Sequence, residues 1–122
     1  VMMSFDDSRP IWIQLAENFG HKIISGEWQP GAKIPSVREL ALEAGANPNT
    51  IQRALGTLDD DGLTVAERTQ GRFVTTDEKV IARRREAVAI EQTDRHIASL
   101  RGLGLSLDGA TKLLAQRWTT TD

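Results

Sequence analysis

One stretch of this 122-residue sequence is polar without being acidic: from Ala44 through Leu58 there is no aspartate or glutamate. Within it Asn49, Gln52, Arg53 and Gly56 share one face of a helix, with Thr50 beside them. Asn, Gln and Arg are the side chains that bond bidentately to base edges in the major groove. Asn47, the cap of this helix, is counted with them, and the helix start offers free amides and a positive dipole end to phosphate. The alternative is a solvated polar face. Arg38 stands in the first turn of the preceding helix, where a cation opposes the dipole. The positions three and four residues on are Ala41 and Leu42, so a helical ion pair has no partner there. A contact to phosphate or base is the stronger reading. Arg68, Gln70, Gly71 and Arg72 form a hairpin tip suited to a minor groove or to phosphate. Gly71 permits a positive φ and a close backbone approach.

Other chemistry is weaker. Consecutive residues on a helix point about 100° apart, so Arg83-Arg84-Arg85 forms no single stripe; it reads as a solvated face, with Arg83 in reach of Glu86. Asp59-Asp60-Asp61 sits at a helix C-terminus, where carboxylates are unfavourable; a weak divalent-ion site is the alternative. His21 and His96 read as surface or helix-boundary residues. There is no cysteine, which excludes disulfides, thiol catalysis and cysteine-bound metals. No catalytic constellation is visible. The expectation is a protein that is not an enzyme and needs neither cofactor nor metal.

These side chains need elements to position them. Pro10 opens a helix whose apolar stripe is Trp12, Leu15, Ala16, Phe19 and Ile23, ended by Ser25-Gly26. Ala32–Pro35 is at most a strand fragment. Ser36 and Glu39 form a capping box for a helix burying Val37, Leu40, Ala41 and Ala44, stopped by Gly45. After Asn47-Pro48, a second helix buries Ile51, Ala54, Leu55 and Leu58 and ends at Gly62. Two short helices on a tight turn make a helix-turn-helix. Leu63–Glu67 and Arg72–Thr75 read as strands joined by Arg68–Gly71. Three helices and a hairpin make a winged helix.

A long helix over roughly 78–101, capped by Thr76-Asp77, follows. Its apolar face changes partway: Val80, Ile81, Ala87 and Val88 cluster, while Ile90 and Ile97 lie on the far side. Gly102 and Gly104 break it. Ser106 caps a last helix that turns Leu107, Ala110, Leu113, Leu114 and Trp118 inward. The fold class is α+β, mainly helical. A winged helix-turn-helix domain is expected over residues 1–77 and a two-helix dimerisation tail over 78–122. Ile90, Ile97, Leu100, Leu103, Leu107, Leu113, Leu114 and Trp118 are the expected dimer contacts, because a lone two-helix tail cannot hide them.

Net charge is −2, and it divides unevenly: −4 over residues 1–77 and +2 over 78–122. Any case for DNA therefore rests on local placement of cations. No apolar run approaches the length of a membrane span, and VMMSFDDSRP has no secretion-signal pattern. The expected location is the cytoplasm.

The string PSVRELALEAGANPNTIQRALGTLDDDGL resembles the N-terminal domain of GntR-family transcriptional repressors. PIWIQLAENFGHKIISGEWQPGAKIPSVREL extends the resemblance upstream, so that it covers roughly residues 9–75. NPNT after SVRELA resembles the YtrA-like subfamily, which implies a short two-helix dimerisation tail. The MocR-like subfamily shares the DNA-binding motifs but adds an aminotransferase-like domain for which this chain is too short. The resemblance puts Arg38, Asn49, Thr50, Arg53 and Gly71 at the DNA. The chain departs from the family at the wing, where Thr69 replaces a glycine and Arg72 a threonine, and at Leu55 and Gly56, where an aromatic and a longer polar residue are common.

The expected function is a sequence-specific repressor binding double-stranded DNA as a homodimer on a palindromic operator. A small-molecule effector, if there is one, would act at the tail or dimer interface. The alternative is a winged-helix module for protein–protein contacts.

Overall fold

The computed structural model describes residues 4–120. Residues 1–3, which open the amino-terminal segment read above, and residues 121–122, which close the expected tail, lie outside the described residues. In chain order the elements are α1 (Ile11–Ile24), α2 (Val37–Ala44), α3 (Pro48–Asp60), β1 (Thr64–Glu67), β2 (Gly71–Val74), α4 (Glu78–Gly102) and α5 (Leu107–Thr120). The fold is mainly helical α+β with a winged helix-turn-helix at its N-terminal end. It divides into two compact units, the first running to Arg85 and the second starting at Glu86.

In the first unit, Pro10 stands just ahead of α1 rather than in its first turn. Leu15, Phe19 and Ile23 are buried, while Trp12 and Ala16 are half-buried. Gly20 brings α1 close to α3: a Cβ there would lie 3.8 Å from Cδ2 of Leu58. The capping box of α2 is complete, with Glu39 N donating to Ser36 Oγ at 3.1 Å and Ser36 N to Glu39 Oε1 at 3.2 Å. Gly45 ends α2 at φ 67°, a left-handed conformation that disfavours a side chain. Ile51, Ala54, Leu55 and Leu58 of α3 are all buried, joined by Leu40, Ala41 and Ala44 of α2. Each fully buried Leu, Ile or Phe contributes about 1.5–3 kcal/mol of transfer free energy. The core therefore fixes α3 to α1 and α2.

The strands pair antiparallel from Thr64 opposite Val74 to Glu67 opposite Gly71. The turn is therefore Arg68-Thr69-Gln70, and Gly71 begins β2 rather than closing the loop. Lys33 bridges Phe73, and Ile34 N donates to the Arg72 carbonyl at 2.9 Å. The short 32–34 segment thus lines the free edge of β2.

The start of α4 is tied to the first unit. Asp77 Oδ1 accepts from Lys79 N at 3.0 Å, and Ile81 is buried. Arg84 pairs with Asp61, while Arg85 donates twice to the Ile24 carbonyl, at 2.9 and 3.2 Å. The solvated arginine run expected from the sequence is realised in part: Arg83 and Arg85 are exposed and Arg84 is half-buried. Arg84 and Arg85 reach acceptors at the ends of α3 and α1, and no Arg83–Glu86 pair forms among the described residues. The aspartate run is explained as well: Asp59 faces Arg72 and Asp61 faces Arg84. Among the described residues no cluster of His, Asp or Glu is arranged to hold a metal.

The second unit is the remainder of α4, a turn with Gly104 at φ 86°, and α5. Ser106 caps α5, its Oγ accepting from Gly109 N at 3.2 Å. No residue from Glu86 to Thr120 is buried. Leu100, Leu105 and Ala110 are half-buried, whereas Ile90, Ile97, Leu103, Leu107, Leu113, Leu114 and Trp118 are exposed. The inward orientation predicted for Leu107, Leu113, Leu114 and Trp118 is therefore not realised within the chain. Two helices provide too little surface to cover them. Among the described residues no helix is long and apolar enough to cross a membrane.

Candidate nucleic-acid interface

Three elements meet at one side of the first unit. Lys33, Ile34, the start of α2, Gln52 of α3, and Ala66, Glu67, Gly71 and Arg72 of the hairpin line a groove of about 650 Å³. Asn49, Gln52 and Arg53 are exposed on α3, and Thr50 is half-buried beside them. Gly56 has nothing within 4 Å of where a Cβ would stand, so it leaves open space further along the same helix. Arg38 is exposed in the first turn of α2.

Asn47 has a defined local task. Its Oδ1 accepts from Asn49 N at 2.8 Å, and its carbonyl accepts from Thr50 N and Ile51 N at 2.9 and 3.1 Å. Pro48 has no N–H. The free amides predicted at the start of α3 are therefore already bonded, and the sequence expectation is corrected on that point. Side chains, rather than backbone, are what α3 presents.

At the wing, Arg68, Thr69 and Gln70 are exposed. Gly71 has φ 111°, and a Cβ there would lie 2.9 Å from Cε of Lys33. The positive φ and close approach predicted for Gly71 are both present, but the approaching group is Lys33. Arg72 is displaced from its expected place at the tip. It lies in β2, half-buried, with Nε and Nη2 each 3.0 Å from an oxygen of Asp59. Its neighbour across the register is Ala66. The side chain turns back to the end of α3 because a carboxylate stands there.

Charge placement answers the negative net charge. Among the described residues up to Asp77, Arg9 pairs with Glu17, Lys22 with Glu27 and Arg72 with Asp59. The cations without an ion pair there are Lys33, Arg38, Arg53 and Arg68, and these belong to the groove edge, α2, α3 and the wing turn. Lys33 escapes the sequence reading; its signal is a lone cation next to a strand-like Ile34. Arg53 has a further contact that the sequence does not show: its Cζ lies 4.1 Å from the centroid of the Trp12 ring.

The model for bacterial regulatory proteins of the gntR family matches residues 14–74. The chain belongs to the GntR family. An uncharacterized HTH-type transcriptional regulator of Bacillus subtilis, YhcF, is 31% identical to it over 102 residues, 84% of each chain. The HTH-type transcriptional repressor YtrA of the same organism is 36% identical over 72 residues, covering 59% of this chain and 55% of YtrA. A GntR-family regulator from Listeria monocytogenes has a similar structure, with TM-score 0.83 and 31% identity over 92% of this chain and 98% of that one. The DNA-binding domain of AraR, solved in complex with operator ORX1, matches 62% of this chain and 92% of its own with TM-score 0.54 and 29% identity. This GntR protein is a transcriptional regulator of the YtrA-like kind, with a winged helix for DNA.

Proposed function

We propose that this GntR regulator is a cytoplasmic, homodimeric repressor that reads a palindromic operator through α3. The unpaired cations carry the reading: Lys33, Arg38, Arg53 and Arg68 collect around α3 and the wing, while the other lysines and arginines among the described residues up to Asp77 have acidic partners. Asn49, Gln52 and Arg53 are assigned to base edges, with Thr50 beside them. Arg38, Arg68, Gln70 and the Gly71 backbone are assigned to phosphate or groove walls. Asn47 acts by fixing the start of α3. Arg72 is assigned to the wing's own structure.

The winged helix, expected over residues 1–77, is supplemented by the start of α4, where Ile81, Arg84 and Arg85 have partners. The exposed apolar residues of the tail, from Ile90 to Trp118, support pairing with a second copy. An isologous interface would cover them and relate two recognition helices by a two-fold axis, as a palindrome requires. Any effector would act at this tail interface.

The test is selection of duplexes from a randomised pool by the full chain, followed by footprinting. A protected site with two-fold symmetry is expected. Equal binding to enriched and scrambled duplexes would remove sequence recognition and favour a protein-contact module.

A further inference from the structure

The guanidinium carbon of Arg53 lies over an aromatic ring from another helix, with 4.1 Å between Cζ and the centroid of Trp12. We propose that Trp12 is a positioning residue for base recognition, holding Arg53 in the pose that reads a guanine. The proposal rests on the reading of α3 as the base-contacting helix.

Three observations carry it. First, Trp12 is anchored. It is half-buried in α1, and α1 is fastened to α3 through Leu15, Phe19 and the close approach of Gly20 to Leu58. The ring therefore moves with the recognition helix. Second, nothing else holds the Arg53 head. Among the described residues its side chain has no ion pair and no hydrogen bond, and the residue is exposed. Third, the contact is with a ring and not with an acceptor. A carboxylate partner takes N–H donors, as Asp59 takes two from Arg72. An aromatic ring attracts the cation through its π face and leaves the five donors available.

A bidentate arginine contact also has a required plane. Guanine presents two acceptors, N7 and O6, on its major-groove edge, and the guanidinium fork must lie in line with both. A free arginine samples many orientations and loses that freedom on binding. Contact with Trp12 restricts those orientations beforehand. The expected effect of removing the ring is thus weaker binding together with poorer discrimination at one base pair per half-site.

The test uses the full chain and the duplex that it enriches from a randomised pool, with variants substituted at each base pair. Arg53→Ala identifies the base pair that Arg53 reads. Trp12→Leu is expected to weaken binding to the enriched duplex roughly two- to tenfold and to flatten preference at that same pair. Trp12→Phe, which keeps a π face, is expected to restore most of both. In the Arg53→Ala background, Trp12→Leu is expected to add no further loss. Unchanged affinity and preference in a folded Trp12→Leu chain overturns the proposal, as does an equal loss with Arg53 already removed. Should Trp12→Leu fail to fold, NMR of the unaltered protein decides: upfield ring-current shifts of the Arg53 δ-methylene protons are expected, and random-coil shifts overturn it. Preference that survives Arg53→Ala would instead defeat the base-contact assignment of Arg53 itself, and the role of Trp12 with it.

Discussion

Arg72 holds Asp59 through two parallel hydrogen bonds of 3.0 Å, Nε to Oδ1 and Nη2 to Oδ2. The same Oδ1 accepts from the buried Thr64 hydroxyl. One carboxylate at the end of α3 thus joins that helix to both strands of the wing. A carboxylate there is unfavourable by the helix dipole alone, and the guanidinium opposite offsets it. The pair is partly shielded, so it falls between exposed ion pairs and fully buried ones.

Removing Arg72 should therefore act on stability before recognition. Arg72→Ala is expected to lower unfolding free energy by about 1.5–3 kcal/mol, the range for hydrogen bonds to charged groups. Asp59→Ala added to it should cost much less than Asp59→Ala alone. Chemical denaturation of the four-member cycle measures this coupling. Additive losses would show that the two side chains act separately.

Leu58 is almost wholly buried and faces Gly20 across the α1–α3 contact. Leu58→Ala should cost about 2–5 kcal/mol through lost burial and a residual cavity. A thermal melt of the full chain reports it, and an unchanged transition would contradict the packing of α3 on α1.

Arg53 stands on the exposed face of α3 without an acidic partner. Arg53→Ala is expected to weaken binding to the enriched duplex by about 1–3 kcal/mol and to relax preference at one position per half-site. Titrations on enriched and scrambled duplexes separate the outcomes. Equal losses on both would make Arg53 a phosphate contact.

Gly71 combines a φ of 111° with the close approach of Lys33. Gly71→Ala should destabilise the wing by about 1–3 kcal/mol through backbone strain. Adding Lys33→Ala should recover only a small part, because the flexible lysine stem can move aside while φ cannot. Hydrogen exchange at β1 and β2 amides would detect the opening; full recovery in the double variant would assign the cost to the side-chain contact.

The tail prediction concerns Leu113 and Leu114, both exposed on α5. Charged replacements at these two positions are expected to convert a dimer into a monomer at micromolar concentration and to weaken binding to a two-fold site. Sedimentation decides it, and a full chain that is already monomeric would remove the tail from dimerisation.

Most of the winged helix is legible in the sequence because its signals are local. Ser36 and Glu39 specify one helix start, Asn47-Pro48 another, Gly45 the turn between them, and the spacing of Ile51, Ala54, Leu55 and Leu58 the buried face. What the sequence conceals is tertiary. Arg72 lies thirteen residues from Asp59 and Arg85 sixty-one from Ile24, and no period or motif links such partners. The same holds for Arg53 and Trp12, since an aromatic at helical spacing is indistinguishable from a core residue until α1 is docked. Lys33 depends on the bridge to Phe73. The apolar residues of α5 have helical spacing, but spacing alone cannot say whether their cover comes from the same chain.

The small set of unpaired cations limits how strongly this winged helix can rely on counterion release. Up to Asp77, Lys33, Arg38, Arg53 and Arg68 would give two copies of the winged helix eight such charges. If every one neutralised a phosphate, the logarithm of the binding constant would fall with the logarithm of salt at a slope of about −7. Each arginine diverted to a base edge makes that slope shallower. Non-specific adhesion through these four cations would be correspondingly limited. On the proposed function, discrimination would rest on the few side chains of α3 rather than on these charges.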